Sequence, residues 1–160
     1  MNVVIIGCGR VGAFLAGLLD SAGDSVTIVD IDRGAFLHLP RDFKGTTLLG
    51  DGTDLDVLRQ ASIESADTFL SLTQGDNRNI MAAQIAAKIF GIKKVVAKVN
   101  DPIRAFAYRQ EGLETFSRTS ILATLLQAMI TGNTKIGPNL VAAATRHEAA
   151  MSGEELKEPA

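Results

Sequence analysis

Three glycines near the beginning of the chain, Gly7, Gly9 and Gly12, have the spacing G-x-G-x-x-G. They follow a β-branched run at residues 3–6 and open an apolar helical stripe, which places them on a strand-to-helix turn. In such a turn the first glycine permits a sharp bend, the second lets the backbone approach a diphosphate, and the third lets helix and strand pack closely. The amide groups and the positive dipole end of the helix face the phosphates. We therefore predict a phosphate-binding turn made of Gly7, Cys8, Gly9, Arg10, Val11 and Gly12.

A carboxylate stands where the second strand ends. Asp30 follows the apolar run at residues 26–29, at the point where an adenosine ribose would lie beside the phosphate-binding turn. Asp30 is expected to accept hydrogen bonds from both ribose hydroxyls and to repel a 2′-phosphate, which disfavours NADP. The positive charge of Arg33 nearby keeps NADP as a minor alternative. The predicted ligand is NAD(H) or ATP/ADP, and the predicted contacts here are Asp30, Ile31, Asp32 and Arg33.

Several of these positions have two interpretations. Arg10 either clamps a phosphate with its guanidinium or is a solvated surface arginine. Cys8 either gains a lowered pKa from the helix dipole or, the interpretation we favour, fills a small space. The residues that end the third strand either lie next to the adenine and read its edge or are ordinary turn formers; they are Gly50, Asp51, Gly52 and Thr53.

The turn after the fourth strand lies across the topological switch point from the glycine turn. We expect it to face the distal part of a bound dinucleotide or triphosphate through Leu72, Thr73, Asp76, Asn77 and Asn79. Asp76 or Asn77 alternatively caps the following helix. Lys98, at the carboxyl end of the fifth strand, either reaches a phosphate or pairs with a neighbouring acid.

Strand-like runs and helical stripes alternate along most of the chain, and their connections are short. Six such repeats predict an α/β fold: a doubly wound, six-stranded parallel sheet of Rossmann type, with strand order 3-2-1-4-5-6 and helices on both faces. The second helix, over residues 33–39, is stopped by Pro40. We assign residues 1–131 to this nucleotide-binding domain. The pattern fades after Gly132, so residues 132–160 are expected to form a helical or irregular tail that docks on a partner or a second copy.

Composition excludes several classes of protein. The chain has 160 residues, a net charge of −2 and 46% hydrophobic residues, as expected for one globular domain and without the basic surface that nucleic acid requires. No apolar run is long enough to insert into a bilayer. One cysteine and the absence of a basic leader segment favour a reducing cytoplasm.

Catalytic groups are few. His38 is expected on the surface, His147 lies in the tail, and Tyr108 has a glycine, Gly112, where a dehydrogenase would have lysine. No nucleophile elbow, metal cluster or Walker lysine is present, so we predict a binding protein with no catalytic residues and no metal site. The alternative is an NAD-dependent oxidoreductase subunit or a degenerate relative of one.

Taken together, five motifs resemble the N-terminal RCK (KTN) domain of the TrkA family over roughly residues 1–131. In order they are GCGRVG at 7–12, VDID at 29–32, GDGTD at 50–54, TQGDN at 73–77 and VAKV at 96–99. The resemblance implies a cytoplasmic, nucleotide-sensing regulatory subunit of a bacterial potassium uptake system or channel that binds NAD(H), ATP, ADP or AMP. It also implies homodimers or rings beneath a membrane transporter, at its inner face.

By the same resemblance Arg10 would contact phosphates, Asp30 the ribose, and Asp51, Gly52 and Thr53 the adenine side. Two features depart from the family. Many relatives have a Pro-Glu pair after the sixth strand that helps to bind a cation, whereas this chain has Ser-Arg-Thr-Ser at 117–120, so no metal site is carried over. The C-terminal RCK subdomain is also expected to be missing, which suggests a separate RCK subunit as a partner.

Overall fold

The computed structural model describes residues 1–132 and 139–153. The strands in these residues are β1 (Asn2–Ile6), β2 (Ser25–Asp30), β3 (Thr46–Leu49), β4 (Thr68–Ser71), β5 (Lys94–Lys98) and β6 (Glu114–Phe116). The α-helices are α1 (Arg10–Ser21), α2 (Leu55–Gln60), α3 (Asp76–Lys88), α4 (Pro102–Gln110), α5 (Arg118–Thr131) and α6 (Leu140–Ser152). Two short 3-10 helices, Arg33–His38 and Ile63–Ser65, connect strands.

The strands form one sheet in the order β3-β2-β1-β4-β5-β6. The pairs β1–β2, β2–β3, β1–β4 and β4–β5 are parallel, and Ile5 of β1 lies opposite both Ile28 of β2 and Leu70 of β4. The chain leaves β1 toward β2 on one side and later returns to β4 on the other, so right-handed connections place helices on both faces. Residues 3–6 of β1 are accordingly no more than 3% exposed. The predicted fold class and strand order are confirmed.

The chain divides into two compact units, with the boundary between Ala97 and Lys98. The first unit contains β1 to β4, α1 to α3 and the beginning of β5. Its register carries the ends of β1 and β2 to the same edge, because Ile6 pairs with Val29 and Gly7 N donates to Val29 O at 2.7 Å. That edge is where the glycine turn and Asp30 meet.

The second unit contains α4, β6, α5 and α6. Arg109 of α4 donates to Glu148 of α6 at 2.8 Å and to the carbonyl of Thr115 at 2.7 Å, while the Ser120 hydroxyl donates to the other oxygen of Glu148. Glu148 is only 1% exposed, and these bonds offset the cost of burying its charge. The helical form expected for the tail is therefore present in α6, and it packs with α4 and α5.

Two elements differ in detail from the sequence expectation. The second helix is a 3-10 helix that ends at His38, because Leu39 precedes Pro40 and adopts an extended conformation (φ −67°, ψ 147°). The apolar pattern predicts a helix over residues 120–130, but α5 begins two residues earlier, at Arg118, because the Ser117 side chain caps it by accepting from Ser120 N. Among the described residues, no helix has the length and apolar character that a membrane span needs.

Candidate functional site

The glycine turn after β1 depends on two glycines for its shape. Gly7 has φ +102°, and a Cβ at this position would lie 2.8 Å from the backbone nitrogen of Thr73. A Cβ on Gly12 would overlap the carbonyl oxygen of Gly7, which shows how closely α1 passes the end of β1. A side chain at either position would therefore push the turn apart.

Gly9 has a different environment. It is the N-cap of α1, with ordinary extended angles (φ −72°, ψ −176°), and no atom lies within 4 Å of the place where its Cβ would be. Its backbone faces an open cavity, and no side chain caps the helix at this end. The first amides of α1 have no intrahelical partner, and Gly9 brings that end of the helix to the cavity.

The cavity has a volume of about 850 Å³, within the usual range for small-molecule sites. It lies in the first unit, along the carboxyl ends of β1 to β4. Its lining consists of Ile6, Gly7, Gly9, Val29, Asp30, Ile31, Asp32, Gly34, Ala35, His38, Gly50, Asp51, Gly52, Leu72, Thr73, Gln74, Gly75, Asn77 and Arg78. The sequence motifs from four separate turns therefore share one site.

Asp30 ties the loop after β2 to the glycine turn. Its Oδ2 accepts from Cys8 N at 2.6 Å, and its Oδ1 accepts from Asp32 N at 2.9 Å. A carboxylate has about four acceptor positions, so two remain for the hydroxyls of a ligand. Asp30 can therefore bind a sugar while it holds the turn in place.

Asp51 is held by Thr53 in the turn after β3, the strand that neighbours β2. Its Oδ1 accepts from Thr53 N at 2.9 Å and from the Thr53 hydroxyl at 2.8 Å. These two hydrogen bonds, with a smaller contribution from the positive charge of Arg78, lower the pKa of Asp51 below its usual range. Asp51 is thus an ionised acceptor aimed at the site, and Thr53 orients it.

The turn after β4 is shaped by Asn79. Its Oδ1 accepts from Thr73 N at 2.8 Å and from the Thr73 hydroxyl at 2.7 Å, and its Nδ2 donates to the Thr73 carbonyl at 3.0 Å. Asn79 is fully buried (0% exposed). It therefore positions Thr73 at the cavity wall.

The sequence matches the model of the TrkA-N domain over residues 3–118, which is more than half of the chain. The chain belongs to the TrkA-N domain family. The earlier resemblance is thereby confirmed.

A relative from Streptomyces coelicolor has the name Trk system potassium uptake protein TrkA. It is 44% identical to this TrkA-N domain over 115 residues, which are 72% of this chain and 52% of the relative. The chain thus spans about half of that protein's length.

Solved structures show the same fold. The TrkA-N domain of the inner membrane protein ybaL from Escherichia coli matches with a TM-score of 0.71 at 15% identity, over 81% of this chain and 96% of that one. The Kef CTD of Shewanella denitrificans, in an AMP-bound form, matches with a TM-score of 0.65 at 21% identity, over 96% of this chain and 92% of that one. At these identities the likeness is one of fold.

Eleven of the residues predicted for the ligand line the cavity of this TrkA-N domain. They are Gly7, Gly9, Asp30, Ile31, Asp32, Gly50, Asp51, Gly52, Leu72, Thr73 and Asn77. Their contact with a ligand stays a prediction, but the structure brings them to one place. Asp32 also has a local role, because its Oδ1 accepts from Gly34 N at 2.8 Å and caps the 3-10 helix.

Nine predicted residues lie outside that lining: Cys8, Arg10, Val11, Gly12, Arg33, Thr53, Asp76, Asn79 and Lys98. Arg10 and Val11 are exposed, beside Phe14, Leu15 and Leu18 on the outer side of α1. Lys98 is buried at the end of β5. The capping alternative for Asp76 and Asn77 is wrong, because α3 begins at Asp76 and its N-cap is Gly75.

Cys8 is a filler and not a reactive thiol. Its side chain is fully buried. Burial, followed by the negative charge of Asp30, raises the pKa of Cys8 to about 11, so the thiol is protonated at neutral pH. What Cys8 offers the site is its backbone amide, which is bonded to Asp30.

Eight lining residues were not predicted for the ligand: Ile6, Val29, Gly34, Ala35, His38, Gln74, Gly75 and Arg78. His38 is exposed, as expected, and the 3-10 helix also places it in the cavity lining with Gly34 and Ala35. Its Nδ1 lies 2.8 Å from the Ala35 carbonyl, which requires a proton on Nδ1 because a carbonyl only accepts. For Arg78 the signal was present, since it directly follows Asn77 in the first turn of α3.

Proposed function

We propose that this TrkA-N domain binds an adenine nucleotide, NAD(H) or one of ATP, ADP and AMP, in the cavity of its first unit. The observation that carries the proposal is the junction of the uncapped α1 N-terminus with the Asp30 carboxylate at one edge of that cavity. Phosphates would accept from the backbone amides of the glycine turn, and ribose hydroxyls would donate to Asp30. Asp51 and its neighbours would face the base.

The comparisons support this choice of ligand class. The Kef CTD of the same fold is an AMP-bound form, and AMP contains the ribose and the phosphate that Asp30 and the glycine turn would address. The discrimination against NADP rests on Asp30 and Asp32, whose negative charges would repel a 2′-phosphate. Among the residues the structure describes, no three His, Cys, Asp or Glu side chains are grouped as a metal site, and none is part of the proposal.

We also propose that the domain acts in the regulation of potassium transport. The support is family membership and the potassium uptake system after which the Streptomyces relative is named. The domain would work as a cytoplasmic homodimer or ring at the inner face of the membrane, attached to a potassium transporter or channel, with a separate RCK subunit as a further partner. Residues 132–160 would serve docking, and 1–131 would form the nucleotide-binding part.

The mechanism would be differential binding without catalysis. Two nucleotides that favour two dimer geometries shift the population that the transporter senses, and a nucleotide with equal affinity for both geometries has no effect. The first-unit cavity supplies acceptors and amides for binding. No group in the proposal transfers a hydride or breaks a bond.

Binding to the purified chain tests the proposal. Thermal unfolding and calorimetry with NADH, ATP, ADP and AMP at millimolar concentration should show stabilisation by at least one of them, about 2.7 kcal/mol when the nucleotide is at a hundred times its Kd. The oligomer shape in small-angle scattering should then change with the nucleotide. Absence of stabilisation by all four would overturn the binding proposal, and sustained NADH oxidation with carbonyl substrates would favour the oxidoreductase alternative.

A further inference from the structure

The side chains that line the cavity carry an uneven charge. Three carboxylates, those of Asp30, Asp32 and Asp51, face it, but only one side chain of fixed positive charge does so in the described residues, and that is Arg78. His38 is the other basic group in the lining. A nucleotide that brings several negative charges into such a cavity needs a cation near its phosphates, because the carboxylates repel it.

Arg78 is placed beside the glycine turn. It is the third residue of α3, and it follows the turn at residues 73–75 that abuts Gly7, where a Cβ on Gly7 would meet Thr73 N at 2.8 Å. Its charge also acts on Asp51 and contributes to the lowered pKa of that carboxyl. Because β2 and β4 lie on the two sides of β1 in the sheet, Arg78 follows the strand on the side away from the loop that holds Asp30.

The guanidinium is exposed and available. Within the described parts of the chain, no hydrogen bond or ion pair engages Arg78, whereas Arg59 bonds to Asp56 at 2.9 Å and Arg109 to Glu148 at 2.8 Å. Arg10, the arginine that the motif itself suggested, is outside the lining. Arg78 is therefore the arginine that a ligand in this cavity would meet.

We propose that Arg78 binds the terminal phosphate of a nucleoside triphosphate and makes the cavity select ATP over AMP and NADH. This inference rests on the proposed nucleotide binding. In all of these ligands the adenosine would bind beside Asp30, and the phosphate attached to the adenosine would bind at the glycine turn. What differs is the distal end: ATP ends in a phosphate, which a guanidinium binds with two parallel hydrogen bonds, whereas NADH ends in an uncharged nicotinamide and AMP is too short to reach.

Calorimetric Kd values for ATP, ADP, AMP and NADH with the wild-type chain and with Arg78→Ala test the inference. We expect Arg78→Ala to weaken the affinity for ATP by about tenfold to a hundredfold, the effect of a lost charge-assisted hydrogen bond. The affinities for AMP and NADH should change by less than about threefold. Arg78→Lys should restore part of the ATP affinity, since lysine keeps the charge without the two-pronged geometry. Arg41→Ala is the matched control, because Arg41 is an exposed arginine away from the cavity lining and its loss changes the net charge equally.

The outcomes separate the two proposals. If the wild-type chain binds none of the four nucleotides, the proposed function fails. If the wild-type chain binds ATP but Arg78→Ala binds ATP equally well, only the role of Arg78 is overturned. The same holds if Arg78→Ala loses affinity for ATP and for AMP to the same extent. An equal loss of ATP affinity in Arg41→Ala would likewise reduce the effect to overall charge and overturn the inference.

Discussion

Helices α1 to α5 begin in two different ways. Helices α2, α4 and α5 begin after Asp54, Asp101 and Ser117, and each of these side chains accepts a hydrogen bond from an amide of the first turn. Helices α1 and α3, whose beginnings border the cavity, follow Gly9 and Gly75, which have no side chain to offer. A capped beginning is complete by itself, whereas a glycine beginning at a cavity leaves space for an anion to take the place of the cap.

The largest effect should come from filling the glycine turn. Gly12→Ala puts a methyl group against the Gly7 carbonyl, so we expect a loss of about 3 kcal/mol of unfolding free energy in urea, without any nucleotide present. Gly9→Ala is the matched control, because its methyl group enters open space; it should keep the stability and lose nucleotide affinity. Equal destabilisation by both substitutions would mean that the two glycines do not have separate roles.

The next effect concerns the carboxylate that would bind the ribose. Asp30→Ala removes an ionised acceptor, and we expect at least a roughly tenfold weaker affinity for every adenine nucleotide, measured by calorimetry. Asp42→Ala removes an exposed carboxylate outside the cavity lining and should leave affinity unchanged. An unchanged affinity in Asp30→Ala would remove this residue from the site.

Removing the cap of a helix away from the cavity should lower the stability and leave the nucleotide affinity unchanged. Asp54 Oδ1 accepts from Asp56 N at 2.8 Å, so Asp54→Ala should cost about 1 kcal/mol of stability through the lost cap of α2. Nucleotide affinity should stay the same, because Asp54 does not line the cavity. A selective loss of affinity without a loss of stability would contradict the distinction between capped and glycine helix beginnings.

The smallest effect is pH-dependent and tests how Asp51 is held. Because Thr53 lowers the pKa of Asp51 in the folded chain, the stabilisation is present above the unfolded pKa of about 4 and is lost as the pH falls through the folded value. Thr53→Val removes the hydroxyl bond and should cost about 0.5 kcal/mol at pH 7 and less at pH 3, by urea unfolding. Thr46→Val, on exposed β3, is the control. If the cost of Thr53→Val in unfolding free energy does not change with pH, the effect comes from packing.

Much of the fold and of the phosphate-binding turn could be predicted because their causes are local. Strands β1 and β2 appear within one residue of the apolar runs at 3–6 and 26–29 that predicted them, since apolar runs and turn residues lie next to one another in the chain. Gly7 and Asp30 could be found from spacing, because a sharp bend and an acid at a strand end need only short segments. The prediction was less successful for the side chains around them.

The amino-acid sequence by itself determined the order of strands and helices, the glycine turn and the acid that follows β2, because periodicity and backbone freedom act between residues close in the chain. Only the tertiary structure decided which side chains share the cavity. It placed His38 and Arg78 in the cavity lining, buried Cys8, made Asn79 a support for Thr73 and left Arg10 outside the lining. The physical reason is that the burial of a side chain and its neighbours depend on how segments distant in the sequence pack against one another. At this cavity those segments are the turns that follow four different strands.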